Sequence, residues 1–207
     1  MNVYVESGFV LTLALQQDDH QAAEQLLQLA RQRRITLKIP TFSLSEPFAT
    51  VHYRANNRHR LIDELRKEIR ELGRTQPHVS MAGALGQYTI QMAQVLQTQL
   101  DAVEAIVLDL GQNCDLLQLD AGVLARASSY RPAYNLQPQD AIILATIIID
   151  LERAQTSGES LFISQNVKDF ENPPIQETLQ HLHCKYLADF ANVVRYIERP
   201  PGEANRP

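Results

Sequence analysis

Short apolar runs alternate along the chain with longer amphipathic stretches, and the two differ in period. Val3, Tyr4 and Val5 favour extended backbone, which predicts a strand over residues 1–5 that Glu6, Ser7 and Gly8 end. Residues 9–15 are predicted helical. Asp18 and Asp19 are candidate caps for a second helix, with Ala23, Leu26, Leu27 and Ala30 on its apolar face. Residues 35–39 alternate apolar and polar positions and predict a second strand, stopped by Pro40. From Thr41 the period becomes helical, and residues 61–72 form a charged amphipathic helix that Gly73 and Pro77 break. Residues 82–110 are predicted to hold one or two further helices, with Gly83 and Gly86 blurring the start. A short helix over 123–130 precedes Pro132.

The clearest segment begins at Leu136. Pro138 marks a helix start, Asp140 lies in its first turn, and residues 141–149 are almost continuously apolar. Such a helix is buried on most sides. Residues 161–164 predict a third strand, with Asn166 just beyond it, and residues 184–187 a fourth, followed by a last helix through Val193, Val194 and Ile197. Strands alternating with helices imply crossover units, hence an α/β fold with a mainly parallel central sheet. No internal repeat or linker divides the chain. The expectation is one domain over 1–198, with an inserted helical segment at about 54–109 and a flexible tail at 199–207 rich in Pro and charge.

Composition narrows the function classes. With 44% hydrophobic residues in 207, the chain is long enough for a sizeable core and reads as globular. A net charge of -5 argues against indiscriminate nucleic-acid binding, yet 11 of the 19 Lys and Arg residues fall between Arg31 and Arg74. Two cysteines, Cys114 and Cys184, form neither a disulfide framework nor a CxxC motif, and they suit a reducing cytoplasm. No signal peptide is evident, and the longest apolar run is far shorter than the ~20 residues that span a bilayer, so no membrane partner is expected.

In an open parallel sheet, functional groups gather beyond the carboxyl ends of the strands. Glu6 ends the first strand, Glu46 lies on the helix after the second, Asp140 opens the buried helix, and Asn166 follows the third predicted strand with Asp169 close behind. Clustered carboxylates raise each other's pKa unless a cation intervenes. Hard oxygen donors suit Mg²⁺ or Mn²⁺, and an ion held by few protein groups keeps waters that can attack a phosphodiester. Each residue also has a plainer role. Glu6 could be a loop acid, Glu46 a solvated helix residue, Asp140 a complement to the helix dipole, Asn166 a cap and Asp169 a surface acid. Their joint placement is what favours a site. His181, His183 and Cys184 could bind a transition metal, but without a second cluster a surface role is favoured. No Walker loop, GxGxxG or nucleophile elbow is present.

These residues carry a family resemblance. The run Val3-Tyr4-Val5-Glu6-Ser7-Gly8-Phe9 resembles the opening strand motif of PIN domains. Ser43-Leu44-Ser45-Glu46 is similar to that family's second acid, Asp140-Ala141 with Leu144-Ala145-Thr146 to its third, and Ser164-Gln165-Asn166-Val167-Lys168-Asp169-Phe170 to its closing motif. The resemblance, toxin-type (VapC-like) members included, implies a three-layer α/β/α sandwich and Mg²⁺- or Mn²⁺-dependent cleavage of RNA. It also implies a homodimer and, for toxin-type members, a small antitoxin-like protein partner. By this resemblance Glu6, Glu46, Asp140 and Asn166 are the catalytic and metal-binding group, Ser164 hydrogen-bonds into the site, and Asp169 is secondary. Arg54, Arg58 and Arg60 are candidates for substrate phosphates, with a solvated helix face as the plainer reading.

Two departures from the pattern stand out: Glu6 where the family usually has Asp, and Asn166 where it has Asp. Together they favour a second reading, a catalytically weak or inactive PIN-like module that binds RNA or a partner protein. A phosphoacceptor domain of the response-regulator type would want an acidic pair after the first strand, and Glu6 stands alone there.

Overall fold

Alternation within the first strand sets the architecture. In a computed structural model that describes residues 1–154 and 158–198, apart from the Leu96 side chain, Val3 and Val5 face one core and Tyr4 the other. The same division runs through Leu161 and Ile163 against Phe162. The sheet is therefore buried on both faces, as a parallel sheet must be.

The chain runs β1 (Asn2–Tyr4), α1 (Ser7–Leu15), α2 (His20–Arg31), β2 (Thr36–Pro40), a 3-10 turn (Thr41–Leu44), α3 (Glu46–Leu72) and α4 (Val79–Asn113). It continues through β3 (Asp115–Leu117), α5 (Ala121–Tyr134), α6 (Pro138–Ala154), β4 (Ser160–Ile163), α7 (Val167–Phe170), α8 (Pro173–His181), β5 (Cys184–Leu187) and α9 (Phe190–Glu198). The five strands pair in the order β3-β2-β1-β4-β5, all parallel. One core gathers Phe9 and Val10 of α1, Leu26 and Leu27 of α2, Leu110 of α4 and Val193 of α9. The other gathers Val123 of α5, Ile143 and Ile147 of α6, Phe170 of α7 and Leu179 of α8. The result is the expected α/β architecture in three layers, α/β/α.

Several boundaries differ from the sequence expectations, each for a local reason. β3 was not predicted: it is three residues long, too short for alternation to show, and it is held by pairing Lys38 with Asp115, Ile39 with Leu116 and Pro40 with Leu117. Pro40 ends β2 from inside the strand rather than stopping it. α5 runs two residues past Pro132, because near a helix end a proline forfeits little and Arg126 and Tyr130 tie this helix down. Asp19 holds the N-cap position of α2 at φ 67°, but its side chain makes no capping bond. Gly83 and Gly86 lie inside α4, a single 35-residue helix.

α3 and α4 pack together as a helical hairpin that occupies most of the predicted insertion. Among the described residues, no helix is long and apolar enough to cross a membrane. Cys114 is half-buried and Cys184 buried, both as free thiols. The predicted tail at 199–207 lies outside the described residues.

Candidate functional site

Strand order singles out one place. The chain leaves β1 toward one face, where α1 packs, and leaves β4 toward the other, where α7 and α8 pack. Neighbouring strands whose connections diverge leave a crevice beyond their carboxyl ends. Glu6 emerges from β1 at this crevice, and Ser164 and Asn166 emerge from β4.

Glu6 is 8% exposed and is the N-cap of α1. Its Oε2 accepts from Ser7 Oγ at 2.7 Å and from the Gly8 backbone N–H at 3.1 Å. Its Oε1 accepts from Ser164 Oγ at 3.3 Å. A Cβ at position 8 would stand 2.7 Å from Oε1, so glycine there lets the carboxylate fold back onto its own helix. Burial pushes the Glu6 carboxyl above the usual range. The bonds from Ser7, Gly8 and Ser164 oppose that rise, and the charge of Glu46 adds to it.

Ser164 links the two halves of the site. Fully buried, its hydroxyl donates a hydrogen bond to Glu6 and accepts one from the Asn166 backbone N–H at 3.0 Å. The Asn166 side chain does not cap α7, although the residue holds the cap position. Its Nδ2 donates instead to Asp140 Oδ1 at 3.2 Å. Asp140 is half-buried in the first turn of α6. Burial and the charges of Asp169, Glu46 and Glu6 raise its carboxyl from 3.8 to about 6, against the Asn166 hydrogen bond.

Glu6, Asp140 and Asn166 are thus joined through Ser164 by hydrogen bonds. Glu46, half-buried at the start of α3, and Asp169 in α7 act on that group through their charge. Among the described residues, no group of three or more His, Cys, Asp or Glu side chains is gathered so as to hold a metal ion as it stands. The donors present are all hard oxygens, which fits Mg²⁺ or Mn²⁺ in chemistry. The obstacle is Glu6, both of whose oxygens are taken up by its own helix start and by Ser164. The arginines stand apart from this network. Arg54 and Arg60 are exposed on α3, and Arg58 reaches Gln99 Oε1 of α4 at 3.4 Å, bracing the hairpin.

Comparison with protein-family models and with curated proteins gives no match. Among solved structures, the crystal structure of VapBC2 from Rickettsia felis bound to a DNA fragment from their promoter is similar to this chain. The two share 11% identity, the likeness covers 90% of this chain and 98% of that one, and the TM-score is 0.44. So remote a likeness assigns no function, and the site stands on its own geometry.

Two contributors escaped the sequence reading. Ser7 holds Glu6 Oε2, and its only sequence signal is adjacency to the acid. Tyr186 on β5 donates its hydroxyl to the Ser164 carbonyl oxygen at 2.7 Å and so fixes the β4 exit. Burial and the charges of Glu171 and Glu6 push this phenol up to about 12. Only the β4–β5 pairing, which sets Ile163 beside Leu187, brings that tyrosine to the site.

Proposed function

We propose that this chain is a divalent-metal-dependent ribonuclease of the PIN type, one domain over residues 1–198 whose α3–α4 hairpin is an extension. One observation carries the reading. Asp140 sits at the switch point of a parallel sheet, and the charged side chains acting on it are Asp169, Glu46 and Glu6, all acids. Repulsion of that kind is relieved by a bound cation, and a phosphodiester brings more negative charge to the same place.

Glu6, Glu46 and Asp140 would hold Mg²⁺ or Mn²⁺, with Asn166 beside them. Such an ion supplies charge neutralisation and polarisation of the phosphodiester. The chain's own residues do the rest. Asn166 orients Asp140, and Ser164 holds Glu6 at the crevice until an ion arrives. Asp140, fixed at the start of α6, would accept a hydrogen bond from the attacking water and orient it. Tyr186 keeps the Ser164 backbone from shifting as charge builds. RNA is the proposed substrate, and a small antitoxin-like protein is the proposed regulator if the chain is toxin-like.

A second reading has its own support. The Glu6 carboxylate is buried and capped in the manner of a structural residue, which favours a weakly active or inactive module that binds RNA or a partner. One experiment separates the two. RNA is incubated with Mg²⁺ or Mn²⁺ and either the parent or Asp140→Asn. Cleavage by the parent that needs the metal and is lost in the variant supports the nuclease. Equal cleavage by both refutes it. RNA binding without cleavage by either establishes the second reading. Glu6→Asp is the companion: a faster rate shows that the longer acid, caught by its own helix, limits activity.

A further inference from the structure

α3 changes character along its length. Its far half mixes both signs of charge, and arginines there are answered locally: Arg66 lies 3.6 Å from Asp63 and, just past the helix end, Arg74 lies 3.2 Å from Glu71. The half nearer the crevice differs. From Pro47 to Ile62 there is no Asp or Glu, against three arginines and two histidines. Among the described residues, the Arg54 and Arg60 side chains make no ion pair or hydrogen bond, although Asp63 and Glu64 follow Arg60 at helical spacing.

The helix lines this stretch up with the site. Glu46, Tyr53 and Arg60 are spaced seven residues apart, so they stand in one row with a drift of only about 20° per step. Pro47, Val51, Ala55 and Ile62 are buried and mark the opposite face, turned to the protein. Tyr53 is 68% exposed, and among the described residues its hydroxyl has no hydrogen-bond partner. Asn56 and Asn57, both exposed, flank the row at about 100° per residue. The row starts at the acid whose charge acts on both Glu6 and Asp140. At about 1.5 Å per residue, Tyr53 stands about 10 Å and Arg60 about 21 Å along the axis from Glu46, the reach of a few nucleotides.

We infer that this row is the track of a single strand of RNA leading away from the crevice, with a base stacked on the Tyr53 ring and phosphates held by Arg54 and Arg60. The inference rests on the nuclease reading for its substrate and names the form that substrate takes. An unpaired base offers an open face to an aromatic ring, whereas the bases of a duplex are covered by their neighbours, so an exposed tyrosine among unpaired arginines selects single strands. The crevice cannot supply this hold. Glu6, Glu46, Asp140 and Asp169 repel phosphate there, and the whole chain carries a net charge of -5. Cations without partners, set in line with the site and beyond its acids, hold the strand where the acids do not push it away.

Fluorescence anisotropy of a labelled oligoadenylate of about 12 nucleotides, with the full chain in EDTA and about 50 mM salt, tests the track apart from cleavage. The parent is expected to bind the single strand about 10-fold more tightly than an RNA duplex of the same length. Tyr53→Ala is expected to weaken single-strand binding about 10-fold, and Tyr53→Phe to leave it unchanged, since stacking needs only the ring. Arg60→Gln is expected to weaken it about 5-fold and to lower the salt slope by about 0.7. Tyr88, 64% exposed on α4, is the control: Tyr88→Ala binds as the parent does. All these positions are exposed, so circular dichroism stays unchanged. A parent that binds duplex as tightly, or that is indifferent to Tyr53→Ala and Arg60→Gln, overturns the inference. So does a parent that binds no RNA, which leaves this face to a protein. The two readings fail separately. Binding that needs Tyr53, with no cleavage in Mg²⁺ or Mn²⁺, sinks the nuclease and keeps the track, whereas cleavage with unchanged KM in Tyr53→Ala sinks the track and keeps the nuclease.

Discussion

Replacing Asp140 by Asn should stabilise the folded chain at neutral pH and, on the proposed nuclease reading, abolish cleavage. Burial and three neighbouring acids raise the Asp140 carboxyl from 3.8 to about 6. Between those two pH values the folded chain keeps a proton that the unfolded chain has already released. Stability therefore falls as pH rises through this window, and the cost is complete above pH 6. At about 1.36 kcal/mol per pH unit the gross cost is about 3 kcal/mol. Asp140 is only half-buried, so solvent screening reduces this to about 1–2 kcal/mol. Asn has the same shape, can still accept from Asn166 Nδ2, and carries no charge. Urea unfolding of parent and Asp140→Asn between pH 4 and pH 8 is the assay. The variant should gain about 1–2 kcal/mol at pH 7, or roughly 3–6 °C in Tm, and nothing at pH 4. A difference that does not vary with pH, or a variant less stable at pH 7, would refute the claim that like charges strain this site.

Millimolar Mg²⁺ or Mn²⁺ should raise the Tm of the parent and leave Asp140→Asn almost unchanged, as followed by scanning calorimetry; equal shifts would place the ion elsewhere. Ser164→Ala strands Glu6 Oε1 and the Asn166 N–H in a buried setting, and urea titration should show a loss of about 1–3 kcal/mol. Gly8→Ala and Gly111→Ala should diverge. Gly111 has open space around it and should gain about 0.5–1 kcal/mol from helix propensity, whereas at Gly8 the new Cβ displaces the Glu6 carboxylate and that gain should vanish. Both thiols, pushed up to about 12 chiefly by burial, should resist a thiol reagent at pH 8 until urea unfolds the chain.

How much of this was legible in the sequence depends on how local each feature is. The buried run in α6 and the alternation in β1 declare themselves, because burial on one side imposes a period. Asp140 after Pro138, and Glu6 after the Val3-Tyr4-Val5 run, could be placed at strand or helix ends for the same reason. β3 could not, since its partner β2 holds it in place. The passage of α5 through Pro132 also rests on tertiary contacts. Within the site, Asn166 was legible as a position but not as a bond. Whether its amide caps α7 or reaches Asp140 is decided by how α6 meets the β4 exit. The folding back of Glu6 was hidden too, because it depends on Ser164, 158 residues away.

An acid held against its neighbours needs an anchor, and α6 supplies it. Asp140 occupies the first turn of a helix in which Ile143, Leu144, Ile147, Ile148 and Leu151 are all buried. Each such side chain contributes about 1.5–3 kcal/mol on burial, so any one of them outweighs or matches the strain at Asp140. The helix cannot slide or unwind to move its acid away without exposing that run. Glu6 is held by a different device, a cap and two serines, whose bonds contribute only about 1 kcal/mol each. The two acids are therefore unequally fixed. Asp140 stays where the fold puts it, and on the proposed metal-dependent reading Glu6 is the member that turns toward an arriving cation, giving up its hold on Ser164 and its own helix start. Removing the Ser164 hydroxyl would then tighten metal binding even as it weakens the fold, an opposition that a purely structural Glu6 would not produce.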